Sequence, residues 1–194
     1  MLKKILYKSA KGGVVREPAR ADAPLWSSSV EFDESWKRRI TAMASHIKGP
    51  CSVADFGCGM MWLEQFLPPG CTYVPIDIAR RDERTIVLDL NRDPLTAIQA
   101  EVAFLSGVLE YVENVELFAQ KLTGAGFRQI ILSYCTLDKF GDLNNRKNLN
   151  WLSHKSLFEL LAIFLPAFDL TALDDVNGNT ILSFNRKGNE GRVI

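Results

Sequence analysis

A chain of 194 residues makes one domain, long enough to bury a full core. Lys plus Arg and Asp plus Glu both number 23, so no net field draws the chain to nucleic acid or to an anionic membrane. The cysteines Cys51, Cys58, Cys71 and Cys135 form no C-x-x-C pair, and with only His46 and His154 beside them no zinc-ligand spacing exists.

The chain opens on Met1-Leu-Lys-Lys, a charged start that no apolar signal core follows. The greasiest run, Leu157 to Phe168, contains Glu159 and Pro166 and falls short of the ~20 residues of a membrane span. A cytoplasmic protein with no membrane or nucleic-acid partner and no bound metal is expected. Its oligomeric state is left open.

Residues 1–30 lack periodicity and carry Gly12-Gly13, Pro18 and Pro24, the composition of an irregular arm. Over 33–47, Trp36, Ile40, Met43, Ala44 and Ile47 recur at helical spacing, and Gly49-Pro50 stops the helix. Strand-like and helix-like segments then alternate. Ser52–Phe56 reads as a strand, Met61–Leu67 as a short helix, and two further strands end at Asp77 and Asp89. Pro75 lies inside the second of these strands and removes a ladder donor, which predicts a bulge or frayed pairing.

Asp93-Pro94 offers an N-cap followed by proline, so a helix is expected to start there. Val102–Ser106 reads as the fourth strand, Val115–Leu122 as a helix and Gln129–Tyr134 as the fifth strand. Ser156-Leu-Phe-Glu159 is a capping box opening a helix that runs to Pro166. Phe168–Leu173 and Thr180–Phe184 flank Asn177-Gly178, a hairpin signal. The fold class is therefore α/β: a doubly wound, mostly parallel sheet closed by a C-terminal antiparallel hairpin. The domain spans 31–186, with a frayed tail over 187–194.

The chemistry concentrates at Ser52-Val-Ala-Asp-Phe-Gly-Cys-Gly-Met60. A strand running into Gly-x-Gly brings backbone close to a ligand because no Cβ intervenes. Asp77 and Asp89, at the carboxyl ends of the next two strands, point into the crevice where open α/β sheets bind ligands. Together they describe a nucleoside pocket. A dinucleotide fingerprint needs a third glycine at position 62, where this chain has Trp, so NAD(P) is disfavoured.

Val53-Ala-Asp-Phe-Gly-Cys-Gly59 resembles the first motif of the class I, Rossmann-like S-adenosylmethionine-dependent methyltransferases. Asp77, Asp89-Leu90 and Phe104-Leu-Ser-Gly-Val-Leu-Glu-Tyr111 are similar to the later motifs, in order and at matching spacing. Tyr111 stands where many relatives have His. The resemblance implies a seven-stranded sheet and S-adenosylmethionine as cofactor, with S-adenosylhomocysteine as product. It implies that Asp55 and the backbone of Gly57, Cys58 and Gly59 face the methionine moiety. Asp77 then takes the ribose, Ile78 packs on adenine, Asp89 and Leu90 read the adenine edge, and Ser106 and Gly107 floor the sulfonium side. Asp55 as a plain turn cap and Asp89-Leu-Asn-Arg-Asp93 as a solvated loop are the alternatives.

Catalytic candidates near the expected mouth are Glu110, Tyr134 and His154. Glu110 could equally cap the following helix, and His154 could be an exposed helix-start residue. The connection Cys135–Trp151 is patternless, and its Asn, Asp, Arg and Trp content suits a polar acceptor such as a sugar or glycan precursor, or else a spacer. Methyl transfer to a small polar acceptor is the leading expectation. A non-catalytic S-adenosylmethionine-binding partner and a protein methyltransferase are the alternatives.

Overall fold

The computed structural model describes residues 33–188, so the expected arm at 1–30 and the tail from 189 on lie outside the described residues. The helix α1 covers Trp36–Ala44, and turns carry the chain on to Ile47. The parallel strands are β1 Ser52–Phe56, β2 Thr72–Asp77, β3 Ile86–Val87, β4 Val102–Ser106 and β5 Gln129–Tyr134. Helix α2 covers Val115–Gly124, α3 Leu143–Asn148 and α4 Leu157–Phe164. The hairpin β6 Phe168–Val176 and β7 Asn179–Arg186 then closes a seven-stranded sheet of order β3-β2-β1-β4-β5-β7-β6.

Strand alternation divides the core between the two faces of this sheet. Val53, Phe104 and Ile131 point to one face and pack with Met43, Ala44 and Ile47 of the α1 segment. Ala54, Phe56, Leu105, Ile130 and Leu132 point to the other, against Phe118 and Leu122 of α2 and Leu160 and Phe164 of α4. Burial on both faces explains the near-continuous apolar runs of β4 and β5. The capping box of α4 is complete: the Ser156 hydroxyl accepts from Glu159 N at 3.2 Å and the Glu159 carboxylate accepts from Ser156 N at 2.7 Å. Asn177 and Gly178 both take positive φ, 53° and 79°, the backbone that a two-residue hairpin turn requires. No described helix is long and apolar enough to cross a membrane.

Four expectations are corrected. No helix follows Asp93-Pro94: the Asp93 carboxylate turns back to accept from Asp89 N at 2.8 Å, and buried Leu95 and Ile98 pin the segment to the core. The β1–β2 register runs unshifted through Asp55↔Pro75, with no bulge; β3 pairs only from Ile76 onward, so no neighbour on that side needs a donor from Pro75. The short helix at Met61–Leu67 is a 3₁₀ turn over Trp62–Phe66. The 135–151 connection is not patternless, for it contains α3, capped by Asp142 accepting from Asn144 N and Asn145 N.

Candidate functional site

A cavity of about 440 Å³ opens beyond the carboxyl ends of β1, β2, β3 and β4. Its floor is the turn after β1, where Gly57 and Gly59 take φ of 73° and 49°. A Cβ on Gly57 would meet Val108 Cγ2 at 2.7 Å, so the turn and the loop after β4 can approach this closely only with glycine there. The N–H groups of Gly57 and Cys58 donate to Ile76 O at 2.8 and 3.0 Å, and Gly59 N–H donates to Asp77 Oδ2 at 2.9 Å. The protein thus consumes these donors itself. The turn offers a ligand close approach rather than an anion cradle.

Every residue of the expected cofactor site borders this cavity. Asp55, Gly57, Cys58 and Gly59 line it from β1, Asp77 and Ile78 from β2, Asp89 and Leu90 beyond β3, and Ser106 and Gly107 from β4. Asp55 and Asp77 are buried at 4% and 5% exposure. Burial lifts the Asp55 carboxyl to about 7, partly opposed by the Tyr73 hydroxyl that donates to its Oδ2 at 2.8 Å, while the neighbouring Asp77 charge adds to the rise. Asp77 is also a structural hub. Besides Gly59 N it accepts from Ala79 N at 3.1 Å and from Arg81 Nη2 at 3.0 Å. Asp89 Oδ1 accepts from Asn91 N at 3.0 Å, an Asx turn that holds the loop after β3. Trp62, at the position of a third glycine, is nearly buried on the cavity wall with Lys37 Nζ 4.9 Å from its ring centroid.

Of the catalytic candidates, only Glu110 reaches the cavity. It does not cap α2, whose cap is Asn114, accepting from Leu117 N at 2.8 Å. Glu110 is 2% exposed, its Oε1 accepts from Cys135 N at 2.8 Å, and its Oε2 is buried with no hydrogen-bond partner among the described residues. Burial raises its pKa, offset in part by the Cys135 N–H and the Arg39 and Arg146 charges. Tyr134 lies away from the cavity in the core, its hydroxyl bonded to Ser153 Oγ at 3.0 Å, Lys155 N at 3.0 Å and Arg146 Nη2 at 3.2 Å. Nor does His154 line the cavity or start a helix. Its Nδ1 accepts from Arg146 Nε at 3.0 Å, and burial together with the Arg146 and Lys147 charges lowers its pKa.

Three features were missed in the sequence. Arg146, fully buried, donates to the carbonyls of Cys135, Phe140 and Ser153 and sits 4.7 Å from the Trp151 ring centroid. It folds the 135–155 connection around itself and sets Trp151 on the cavity wall, where Trp151 Nε1 donates to Tyr111 O–H at 3.2 Å. Arg39 of α1 reaches the cavity from the opposite face. Its place three residues after Trp36 and four before Met43, on the buried side of the helix, was the available signal. Asn179, the first residue of β7, completes the wall.

No family model matches this sequence, and no curated relative matches it. Many solved structures do share its fold. The N-methyltransferase NodS of Bradyrhizobium japonicum, solved with S-adenosylhomocysteine, superposes with a TM-score of 0.57 at 11% identity, over 77% of this chain and 85% of its own. The 1,6-didemethyltoxoflavin-N1-methyltransferase of Burkholderia thailandensis, also holding S-adenosylhomocysteine, gives 0.60 at 14% identity over 80% of each chain. An S-adenosylmethionine-dependent methyltransferase of Mesorhizobium loti gives 0.61 at 14%, over 78% of this chain and 98% of that one. The fold is the Rossmann-like methyltransferase fold, with its C-terminal antiparallel hairpin.

Proposed function

We propose that this chain binds S-adenosylmethionine and transfers its methyl group to a small polar acceptor. The observation that carries this reading is one cavity bordered at once by the Gly57-Cys-Gly59 turn after β1 and by carboxylates at the ends of the next two strands. The glycine approach at Gly57 fits a ligand without phosphates, because the turn's own N–H groups are already spent on Ile76 and Asp77. Trp62 fits the same reading, since it fills the place that dinucleotide binding needs open.

In this reading Asp77 accepts from the ribose hydroxyls, Ile78 packs on adenine, Asp89 accepts from its amine and Leu90 N–H donates to its edge. Asp55, Cys58, Ser106 and Gly107 border the amino-acid end. The bound cofactor supplies an electrophilic methyl group on sulfur. The chain contributes position: aromatic walls at Trp36, Tyr111 and Trp151 orient a ring, and exclusion of water holds the reactants together. Glu110 is the proton acceptor we assign, because it borders the cavity and its Oε2 has no hydrogen-bond partner among the described residues. A sugar or glycan precursor is the acceptor class that the Trp151 ring, Glu110 and Asn179 on the cavity wall suit.

Incubation with methyl-tritiated S-adenosylmethionine and a metabolite extract tests the reading. Label in the small-molecule fraction supports it. Label in protein favours the protein-methyltransferase alternative, and tight S-adenosylhomocysteine binding without any transfer makes the chain a non-catalytic binding protein.

A further inference from the structure

Away from the cavity, at the amino ends of β1 and β2, two cysteines meet. Cys51 precedes β1, Cys71 precedes β2, and their sulfur atoms stand 3.9 Å apart. The parallel register that starts at Ser52↔Thr72 explains the meeting, since residues one step earlier on neighbouring strands lie side by side. A strand spacing of about 4.8 Å falls inside the Cα separations that a disulfide accepts. The sulfurs have about 2 Å left to close, a distance that side-chain rotation supplies.

The backbone around the pair is held from both sides. Thr72 N donates to Cys51 O at 2.9 Å, and Cys71 N donates to Pro68 O at 3.2 Å. The two turns pack so closely that a Cβ on Gly70 would stand 3.4 Å from Pro50 Cβ. Cys71 Sγ donates to Gly49 O at 3.3 Å, so the hydrogen between the two sulfurs belongs to Cys51. Both thiols are partly exposed, within reach of a small oxidant. Burial, with the Cys71 contact adding to it, pushes the Cys51 thiol up to about 11. Cys51 therefore rests as a thiol, and the first attack falls to Cys71.

We propose that Cys51 and Cys71 are a site of reversible oxidation, closing by exchange with glutathione disulfide to a bond that ties the amino ends of β1 and β2 together. The Cys71 thiolate attacks one glutathione sulfur, forming a mixed disulfide and releasing the other glutathione as thiolate. Cys51 then displaces the second glutathione, and the two cysteine protons pass through solvent to the glutathiones released. Two protein thiols become one disulfide while one glutathione disulfide is reduced. The new bond closes residues 51–71 into a ring that contains β1, the Gly57-Cys-Gly59 turn and Trp62. The cavity lies at the opposite ends of these strands, about 16 Å away, so closure firms its frame without filling it.

Incubation of the full chain with glutathione disulfide, then alkylation of the remaining thiols and peptide mapping, tests it. Trypsin with a glutamate-specific protease leaves Cys51 on peptide 49–64 and Cys71 on 65–80. The oxidised wild type should show these peptides joined, and dithiothreitol should part them. Cys58 shares the first peptide, so Cys51→Ser should abolish the join, as should Cys71→Ser. The oxidised wild type should melt about 5–10 °C above the reduced one, the effect of a ring of this size on the unfolded chain. Neither serine variant should gain stability on oxidation. No joined peptide, a join that survives Cys51→Ser, or equal melting of the two wild-type forms overturns the proposal.

Discussion

Asp55→Asn removes a charge that the fold holds under strain, and its effect on stability has a definite sign. Burial lifts this carboxyl from 3.8 to about 7, the Tyr73 hydroxyl pulling back and the Asp77 charge adding to the rise. Between those values the folded chain keeps a proton that the unfolded chain has released. Stability from this group is therefore complete below the lower value and is lost as pH rises through about 7. The interval spans roughly three decades of proton activity at about 1.4 kcal/mol each, which gives about 4 kcal/mol. Glu110 acts in the same direction but is present in both proteins, so the difference between them isolates Asp55. Urea unfolding from about pH 4 to about pH 8 measures it: the wild type should lose about 4 kcal/mol more than Asp55→Asn over that range. Parallel stability curves would refute the reasoning, because they would mean that Asp55 is ionised throughout.

Asp77→Ala should weaken S-adenosylhomocysteine binding by about 10- to 150-fold in calorimetry, the ~1.5–3 kcal/mol of a charge-assisted acceptor. It should also cost about 1–3 kcal/mol of stability in urea, since Gly59 N, Ala79 N and Arg81 Nη2 lose their acceptor. Unchanged affinity in a folded variant takes Asp77 out of the site. Glu110→Gln should abolish label transfer to the acceptor while leaving S-adenosylhomocysteine affinity within about twofold; full transfer in the variant ends its role as proton acceptor. Trp151→Ala should lower transfer with the same small effect on cofactor affinity, and loss of cofactor affinity would move Trp151 to the cofactor end. Arg146→Leu should cost more than about 3 kcal/mol in urea, because several buried acceptors lose their donor at once. A change of under about 1 kcal/mol would show that the 135–155 connection does not depend on it.

The cavity wall proposed to hold the cofactor was legible because its signals are local and ordered. A glycine turn and strand-end carboxylates occupy positions that the βα repeat itself sets, so Asp55, Gly57, Asp77 and Asp89 could be read in one pass. Asp93 shows the limit of local chemistry. Aspartate before proline caps a helix when its carboxylate points forward, but here it bonds backward to Asp89 N, and nothing in the dipeptide distinguishes the two. Arg146 was illegible for a different reason: its partners are largely backbone carbonyls, which every residue carries. Tyr134 has suitable chemistry but the wrong parity. It shares a strand face with Ile130 and Leu132, which pack toward α2 and α4, so the period of two already turned it into the core. Arg39 belongs to a helix on the far side of the sheet. Its meeting with Ser106 and Asn179, 67 and 140 residues away, is a product of topology alone.

The most direct measurement of the central claim is a pair of titrations of the full chain, one with S-adenosylhomocysteine and one with NADH. The pocket proposed around the Gly57 turn, Asp77, Asp89 and Trp62 predicts saturable one-to-one heat with the first and none with the second. Binding of NADH with no response to S-adenosylhomocysteine would contradict the proposed S-adenosylmethionine pocket.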